Sequence, residues 1–294
     1  MSAVRRIVSR DNPLLRQLVR VAGAARERRE LGVSLLEGIH LCEAWLAAGR
    51  TPRLRLVTAE AREHPEVARL LADSARRSTD GGAAKAGRAA DVHADLPEGE
   101  FELAEPLFRS LSQVAHGVGI AFVVDTPRPV LEARIARDAV FLDGLQDPGN
   151  VGTILRSCAA AGIGLIITAP QTAECWSPKV LRAAMGAHVA LDIIEQMPWR
   201  DVADRLDVGV LATSPTAAMP LWQADLRAPA IWVFGSEGAG LDRSLIGAGP
   251  VRWLGIPQAP GVESLNVASA VAVCLFEQRR QRGLSAAAAP AGSS

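Results

Sequence analysis

The spacing of apolar and polar positions changes character along the chain. Over residues 12–30, Leu14, Leu15, Leu18, Val21 and Ala22 fall on one helical face, and arginines fill the remainder. The pattern then shortens. It predicts a strand and turn at 34–38, a helix over 39–48 stopped by Gly49, a strand at 54–57 and part of a helix at 65–71. Residues 78–94 are rich in Gly, Ala and small polar residues, the composition of a surface insertion or mobile loop. A helix over 107–114 and a strand at 119–124 follow, and residues 127–136 read as a linker with a short helical start.

Beyond Thr126 the alternation is regular. Strands are predicted at 139–142, 164–168, 190–194, 208–213, 231–235 and 251–256. Helices are predicted near 151–161 (closed by Gly162), 178–185, 199–206 and 266–280. Alternating strands and helices indicate an α/β domain with a mostly parallel sheet. The chain therefore divides into a domain at 1–126, a second at 127–283 and a disordered tail at 284–294, where Ala, Pro, Gly and Ser prevail.

Composition adds little to this picture, but charge placement adds something. With 294 residues, 49% of them hydrophobic, the chain can bury one large or two modest cores. The net charge is zero, so whole-molecule electrostatics do not announce a polyanion partner. Yet Arg5, Arg6, Arg10, Arg16, Arg20, Arg26, Arg28 and Arg29 crowd the first thirty residues, opposed there by Asp11, Glu27 and Glu30. Arginine's planar fork suits phosphate; a solvated helix face is the plainer alternative. Cys42, Cys158, Cys175 and Cys274 are far apart, which indicates free thiols in a reducing compartment and neither a disulfide frame nor a zinc site. The first residues lack the apolar stretch of a signal peptide, and no run reaches membrane-spanning length, so a cytoplasmic protein without a membrane association is expected.

Three stretches carry candidate chemistry. They are DGLQDPGNVGTILR at 143–156, VFGSEGAGL at 233–241 and IPQAPGVESLN at 256–266, each beginning at a predicted strand end. In open α/β sheets, ligands bind outside the carboxyl ends of strands, and glycine lets a ligand approach backbone. Any one of these loops is explained by a tight turn; three together indicate a site. The P-loop pattern is absent, and Gly144, Gly149 and Gly152 do not have dinucleotide-binding spacing. Arg156 falls in the first or second turn of its predicted helix, where the dipole disfavours a cation, and is aimed at the strand-end crevice. Asn150 reads as that helix's N-cap, or as a ligand contact. Glu237 is either an ordinary loop acid or the partner that orients Arg156 or Asn150. Ser264 and Asn266 are helix caps, ligand contacts or both.

Together these stretches resemble the SpoU family of RNA 2′-O-ribose methyltransferases. Asp147, Pro148, Asn150, Gly152 and Arg156 match its first motif, Gly235, Glu237 and Gly240 its second, and Ile256, Pro257, Ser264, Leu265, Asn266 and Val267 its third. Order and separation agree as well. The third motif departs at Gln258, where methionine is usual, at Pro260, where glycine is usual, and at Ala268, which replaces a common serine. RDNPLLRQLVR and LLEGIHLCEAWLAAG also look like the family's small N-terminal substrate-binding domain, an α/β fold related to a large-subunit ribosomal protein.

The resemblance implies an α/β fold with a C-terminal trefoil-knot methyltransferase domain, an exception to the rule against threaded chains. It implies S-adenosylmethionine as cofactor, with Thr213, Gly235, Ile256 and Leu265 on its adenine side and no metal. It implies a homodimer through the C-terminal domain. Arg156 would position the ribose and stabilise developing charge, since a guanidinium has donors and no acceptor and is a poor base. Asn150 would hold the ribose, Glu237 would orient Arg156, and Ser264 and Asn266 would shape the site. Arg16, Arg20 and Arg28 would hold RNA phosphates. The substrate expected is rRNA; tRNA, or RNA binding without catalysis, are the alternatives.

Overall fold

The computed structural model describes residues 4–79, 96–114, 117–236, 240–241, 250–261 and 264–283. Glu237, residues 80–94 of the insertion and the tail from Leu284 lie outside the described residues. The chain forms two compact units, Met1–Arg128 with Glu174–Val189, and Pro129–Ala173 with Ala190–Ser294.

The first part of the chain holds β1 (Arg5–Ile7), α1 (Pro13–Gly23), α2 (Ala25–Leu31), β2 (Val33–Glu37), α3 (Ile39–Ala47) and β3 (Leu54–Thr58). It continues through α4 (Ala59–Arg62), α5 (Pro65–Thr79), β4 (Gly99–Leu103), α6 (Glu105–Leu111) and β5 (Ile120–Asp125). The strands form a mixed sheet in the order β1-β4-β3-β5-β2. Strands β1 and β4 have no counterpart in the sequence reading. Along β4 the alternation is complete, with Phe101 and Leu103 buried while Glu100 and Glu102 reach Arg62 at 2.6 and 3.4 Å.

The helix expected over 12–30 is two helices. Ala24 is extended (φ −125°, ψ 123°) and separates α1 from α2. The break works because Arg28, folding back from α2, donates to the end carbonyls of α1, Val21 at 2.6 Å and Ala22 at 3.2 Å. Its Nε is 3.1 Å from each carboxylate oxygen of Glu174, in the segment that joins this unit from far along the chain. Arg28 is only 5% exposed. This corrects its assignment as a phosphate contact: its donors are committed to two carbonyls and a half-buried carboxylate. Arg16 and Arg20 are exposed, the first paired with Asp11 and the second with Glu27 at 3.3 Å.

After residues 127–136, which contain none of the expected helical turn, come β6 (Ala139–Asp143), α7 (Pro148–Ala161), β7 (Leu165–Thr168), α8 (Pro178–Ala184), β8 (Asp192–Ile194) and α9 (Trp199–Ala203). Then follow β9 (Gly209–Thr213), β10 (Met219–Pro220), β11 (Ala230–Gly235), β12 (Val251–Gly255) and α10 (Val267–Gln281). Helix α8 belongs to the first unit, where it packs against β2. The strands of the second unit form one sheet in the order β10-β12-β9-β11-β6-β7-β8, every pair parallel. Its central strands are apolar throughout, as burial on both faces requires. Helices α7 and α10 pack on each other, and each buries apolar residues, Ile154, Leu155 and Cys158 on α7 and Val271, Cys274 and Leu275 on α10. The far end of α10 is tied down where the Trp232 indole donates to Gln278 Oε1 at 2.9 Å and Arg282 meets Asp138.

Removing one partner of a buried ion pair strands the other charge. Arg28→Ala should therefore destabilise the chain by about 3–5 kcal/mol in urea unfolding, whereas Arg16→Ala, at an exposed pair, should change it by about 0.5 kcal/mol or less.

Candidate functional site

Because the strands of the second unit run parallel, their carboxyl ends share one rim. Strands β12, β9 and β11 are adjacent there, and they end at Gly255, Thr213 and Gly235. Between these ends and the start of α10 lies a cavity of about 340 Å³, a size suited to a small organic ligand. Thr213, Gly235, Ile256 and Leu265 all line it, as do Ser264 and Asn266. So do Ser214, Pro215, Phe234, Ser236 and Gln258, which the sequence reading did not single out as site residues. Ser214 and Pro215 follow a strand whose loop has no glycine, so a search for glycine-bearing loops passes over them.

Gly235 is required by its surroundings. A Cβ there would lie 2.3 Å from the carbonyl oxygen of Gly240 and 2.5 Å from Leu241 Cα. The chain leaves β11, turns back and re-crosses Gly235 at this distance, with Gly240 N donating to Ser236 O at 2.9 Å. The wall is thus built of backbone that no side chain holds off. None of the described lining residues is charged; the walls are hydroxyls, backbone and the apolar faces of Phe234, Ile256, Leu265 and Val267. Such a surface accepts an uncharged heteroaromatic ring. Among the described residues, no group of three or more His, Cys, Asp or Glu could hold a metal.

The first motif stands beside the cavity. Gly235 pairs in register with Asp143, so the loop following β6 begins next to the cavity wall. Its helix starts earlier than expected. Asp147, not Asn150, is the N-cap of α7, accepting from Asn150 N at 2.7 Å, and Pro148 takes the first helical position. Asn150 is the third helical residue. Arg156 consequently sits in the third turn, beyond the reach of the end dipole, on an exposed row with Gly149, Thr153 and Ala160. It forms no ion pair among the described residues, and Glu237 lies outside them.

Asn266 is the N-cap of α10, its Oδ1 accepting from Ala268 N at 2.9 Å and Ser269 N at 3.2 Å. Its Nδ2 donates to Asn150 Oδ1 at 3.0 Å. This bond joins the first and third motifs, 116 residues apart. Ser264 is exposed on the cavity wall and caps no helix. Of the nine residues assigned to the catalytic and cofactor sites, Asn150, Thr213, Gly235, Ile256, Ser264, Leu265 and Asn266 thus gather at or beside one cavity. The four cysteines are free and buried, and burial pushes the thiols of Cys42, Cys158 and Cys274 up, leaving them protonated. No helix among the described residues is long and apolar enough to cross a membrane.

Comparison with known proteins agrees with this geometry. The profile of the SpoU rRNA Methylase family matches residues 138–276. An uncharacterized tRNA/rRNA methyltransferase of Synechocystis sp. is 36% identical over 291 residues, 96% of each chain. The 23S rRNA (guanosine-2′-O-)-methyltransferase RlmB of Pseudomonas syringae is 31% identical over 83% of this chain and 94% of its own. A crystal structure of an RNA 2′-O ribose methyltransferase superposes with a TM-score of 0.72 at 27% identity, covering 94% of this chain and 99% of that one. Likeness along nearly the whole length, with the motif residues drawn together at one sheet rim, makes this chain a member of the SpoU rRNA methylase family.

Proposed function

We propose that the chain transfers a methyl group from S-adenosylmethionine to a ribose 2′-hydroxyl of ribosomal RNA. The observation that carries this reading is the Asn266–Asn150 hydrogen bond, which joins the first and third motifs beside an uncharged cavity. The family relatives named for 23S rRNA 2′-O-methylation support rRNA as the substrate class. The cradle fits the cofactor: a nucleoside without phosphates, entering a wall of backbone and hydroxyls that a Cβ at Gly235 would block. Thr213, Gly235, Ile256 and Leu265 would hold it. When bound, S-adenosylmethionine supplies a sulfonium-activated methyl, so the chemistry needs no metal.

The protein's own part is positioning and charge stabilisation. Arg156, exposed in the third turn of α7, would hold the ribose and its phosphate and stabilise charge developing on the 2′-oxygen. A guanidinium offers five donors and no acceptor, so it serves poorly as a base. Glu237 would orient Arg156, and Ser264 would shape the rim. Arg16 and Arg20 would make RNA phosphate contacts from the N-terminal unit, which we read as the substrate-binding domain, related to a large-subunit ribosomal protein. The same reading includes a trefoil knot in the C-terminal unit and a cytoplasmic homodimer through that unit.

Four measurements test this. Incubation with tritiated S-adenosylmethionine and rRNA should label the RNA, yielding a ribose that resists alkaline hydrolysis; label in tRNA alone would redirect the substrate. Calorimetry in excess chelator should detect the cofactor, and Gly235→Ala should weaken its binding at least about tenfold, because the Gly240 turn must move. Arg156→Ala should lower kcat about 100- to 1,000-fold with cofactor affinity and melting temperature nearly unchanged, and Arg156→Lys should restore little of it, since a point charge does not replace a planar fork. Sedimentation of the full chain at micromolar concentration should give twice the chain mass.

A further inference from the structure

We propose that the N-terminal unit takes an unstacked guanine of the RNA into a pocket of its own, where the Glu60 carboxylate accepts from N1–H and N2–H2 of the base. That the base belongs to RNA rests on the functional reading above; the preference for guanine rests on the lining of the pocket.

The pocket lies at the carboxyl ends of β3 and β4, between the segments that follow them. Its volume is about 340 Å³, within the range of ligand sites. Thr58, the last residue of β3, lines it at a close passage of the chain: a Cβ at Gly119 would lie 2.5 Å from Thr58 Oγ1. Ala61 and Phe108 give it a buried apolar surface, and Val118 lines it while remaining 45% exposed.

Most polar groups of the lining are committed. Ser112 Oγ donates to Glu37 and accepts from Val114 N at 3.0 Å. Glu105 accepts from Arg109 at 3.1 Å. The Glu60 carboxylate and the His64 ring, both on exposed residues, make no hydrogen bond or ion pair among the described residues. Thr58 Oγ1 accepts from Ala61 N at 3.1 Å, which leaves its own proton to give.

An open carboxylate near a hydroxyl donor selects among bases. A carboxylate carries acceptors only. Guanine sets two donors side by side, N1–H and N2–H2, with the acceptor O6 next to them; Glu60 takes the two donors and Thr58 the acceptor. In uracil one N–H stands between two carbonyls. In adenine and cytosine an amino group stands beside a bare ring nitrogen. Each of those edges turns a lone pair on the carboxylate. An unstacked base also needs planes to rest on, which imidazole and guanidinium supply, and His64 and Arg109 are on the lining. A phosphate is disfavoured there, because Glu105 already matches Arg109 and Glu60 adds negative charge. An adjoining cavity of about 330 Å³ shares Thr58, Glu60 and Glu105 and reaches Arg6 and Val8 at the end of β1. The sugar and phosphate of the same nucleotide lead out along it.

The test is binding of the full chain to a short single-stranded RNA of uridines with one central guanosine, followed by fluorescence anisotropy. Inosine in place of that guanosine removes the N2 amino group alone and should weaken binding about tenfold. Adenosine, cytidine or uridine there should weaken it at least as much. Glu60→Gln, at an exposed side chain, should leave the melting temperature nearly unchanged and bring guanosine and inosine within about twofold of each other. Arg6→Ala should weaken all these RNAs alike and flatten their salt dependence. No preference for guanosine in the wild type, or the same preference in Glu60→Gln, would overturn the pocket. Guanosine monophosphate binding as tightly as the guanosine-containing RNA would assign the pocket to a free nucleotide and overturn the RNA assignment. A chain that methylates rRNA without preferring guanosine would lose the pocket and keep the functional reading. A chain that prefers guanosine through Glu60 but methylates no RNA would keep the pocket and lose that reading.

Discussion

Parallel pairing in the C-terminal unit places every strand-end loop on the same rim. Once β6, β9, β11 and β12 are neighbours and run in one direction, the loops following them have no other edge to occupy. Three of those loops carry glycines, and the fourth carries Ser214 and Pro215. The cavity follows from this arrangement. Its floor is the end of a sheet, its sides are turns, and its far wall is the first turn of α10. Reversing one strand would send its loop to the opposite edge and open the cavity.

Two of the structure's helix caps also belong to the site. Asp147 caps α7 and fixes Asn150 by the backbone; Asn266 caps α10 and fixes Asn150 by the side chain. Local folding and site geometry are here the same hydrogen bonds. The residue that closes the cavity wall, Gly235, follows similar logic. It is needed for close passage of the chain, and the same bareness exposes backbone to a ligand.

Much of this was legible in the chain itself. The six strands expected beyond Thr126 all exist, because apolar runs bounded by glycine and proline have few other uses in an α/β pattern. The cavity residues Thr213, Gly235, Ile256 and Leu265 came from motif resemblance rather than from periodicity. Strand β1, three residues at a sheet edge, was too short to give a period, and β10 shorter still. The start of α7 was misplaced because Asp147 and Asn150 are both good caps and Pro148 decides between them only if it is read as a first helical residue. Arg28 was unreadable for a different reason. Its carboxylate partner is 146 residues away, and nothing in a helical pattern distinguishes an arginine folded inward from one facing water.

That distance has a consequence for synthesis. The N-terminal unit is discontinuous: it includes Glu174–Val189, and Arg28 finds its carboxylate only there. A ribosome making this chain releases the first 128 residues long before the segment that completes them. Until then α1 and α2 carry an inward guanidinium with no counterion, and the edge of β2 lacks α8. The nascent N-terminal unit must therefore wait, incomplete, while β6, α7 and β7 emerge. The first unit has all its residues once Val189 is made, before β8, β9, β11, β12 and α10 of the second.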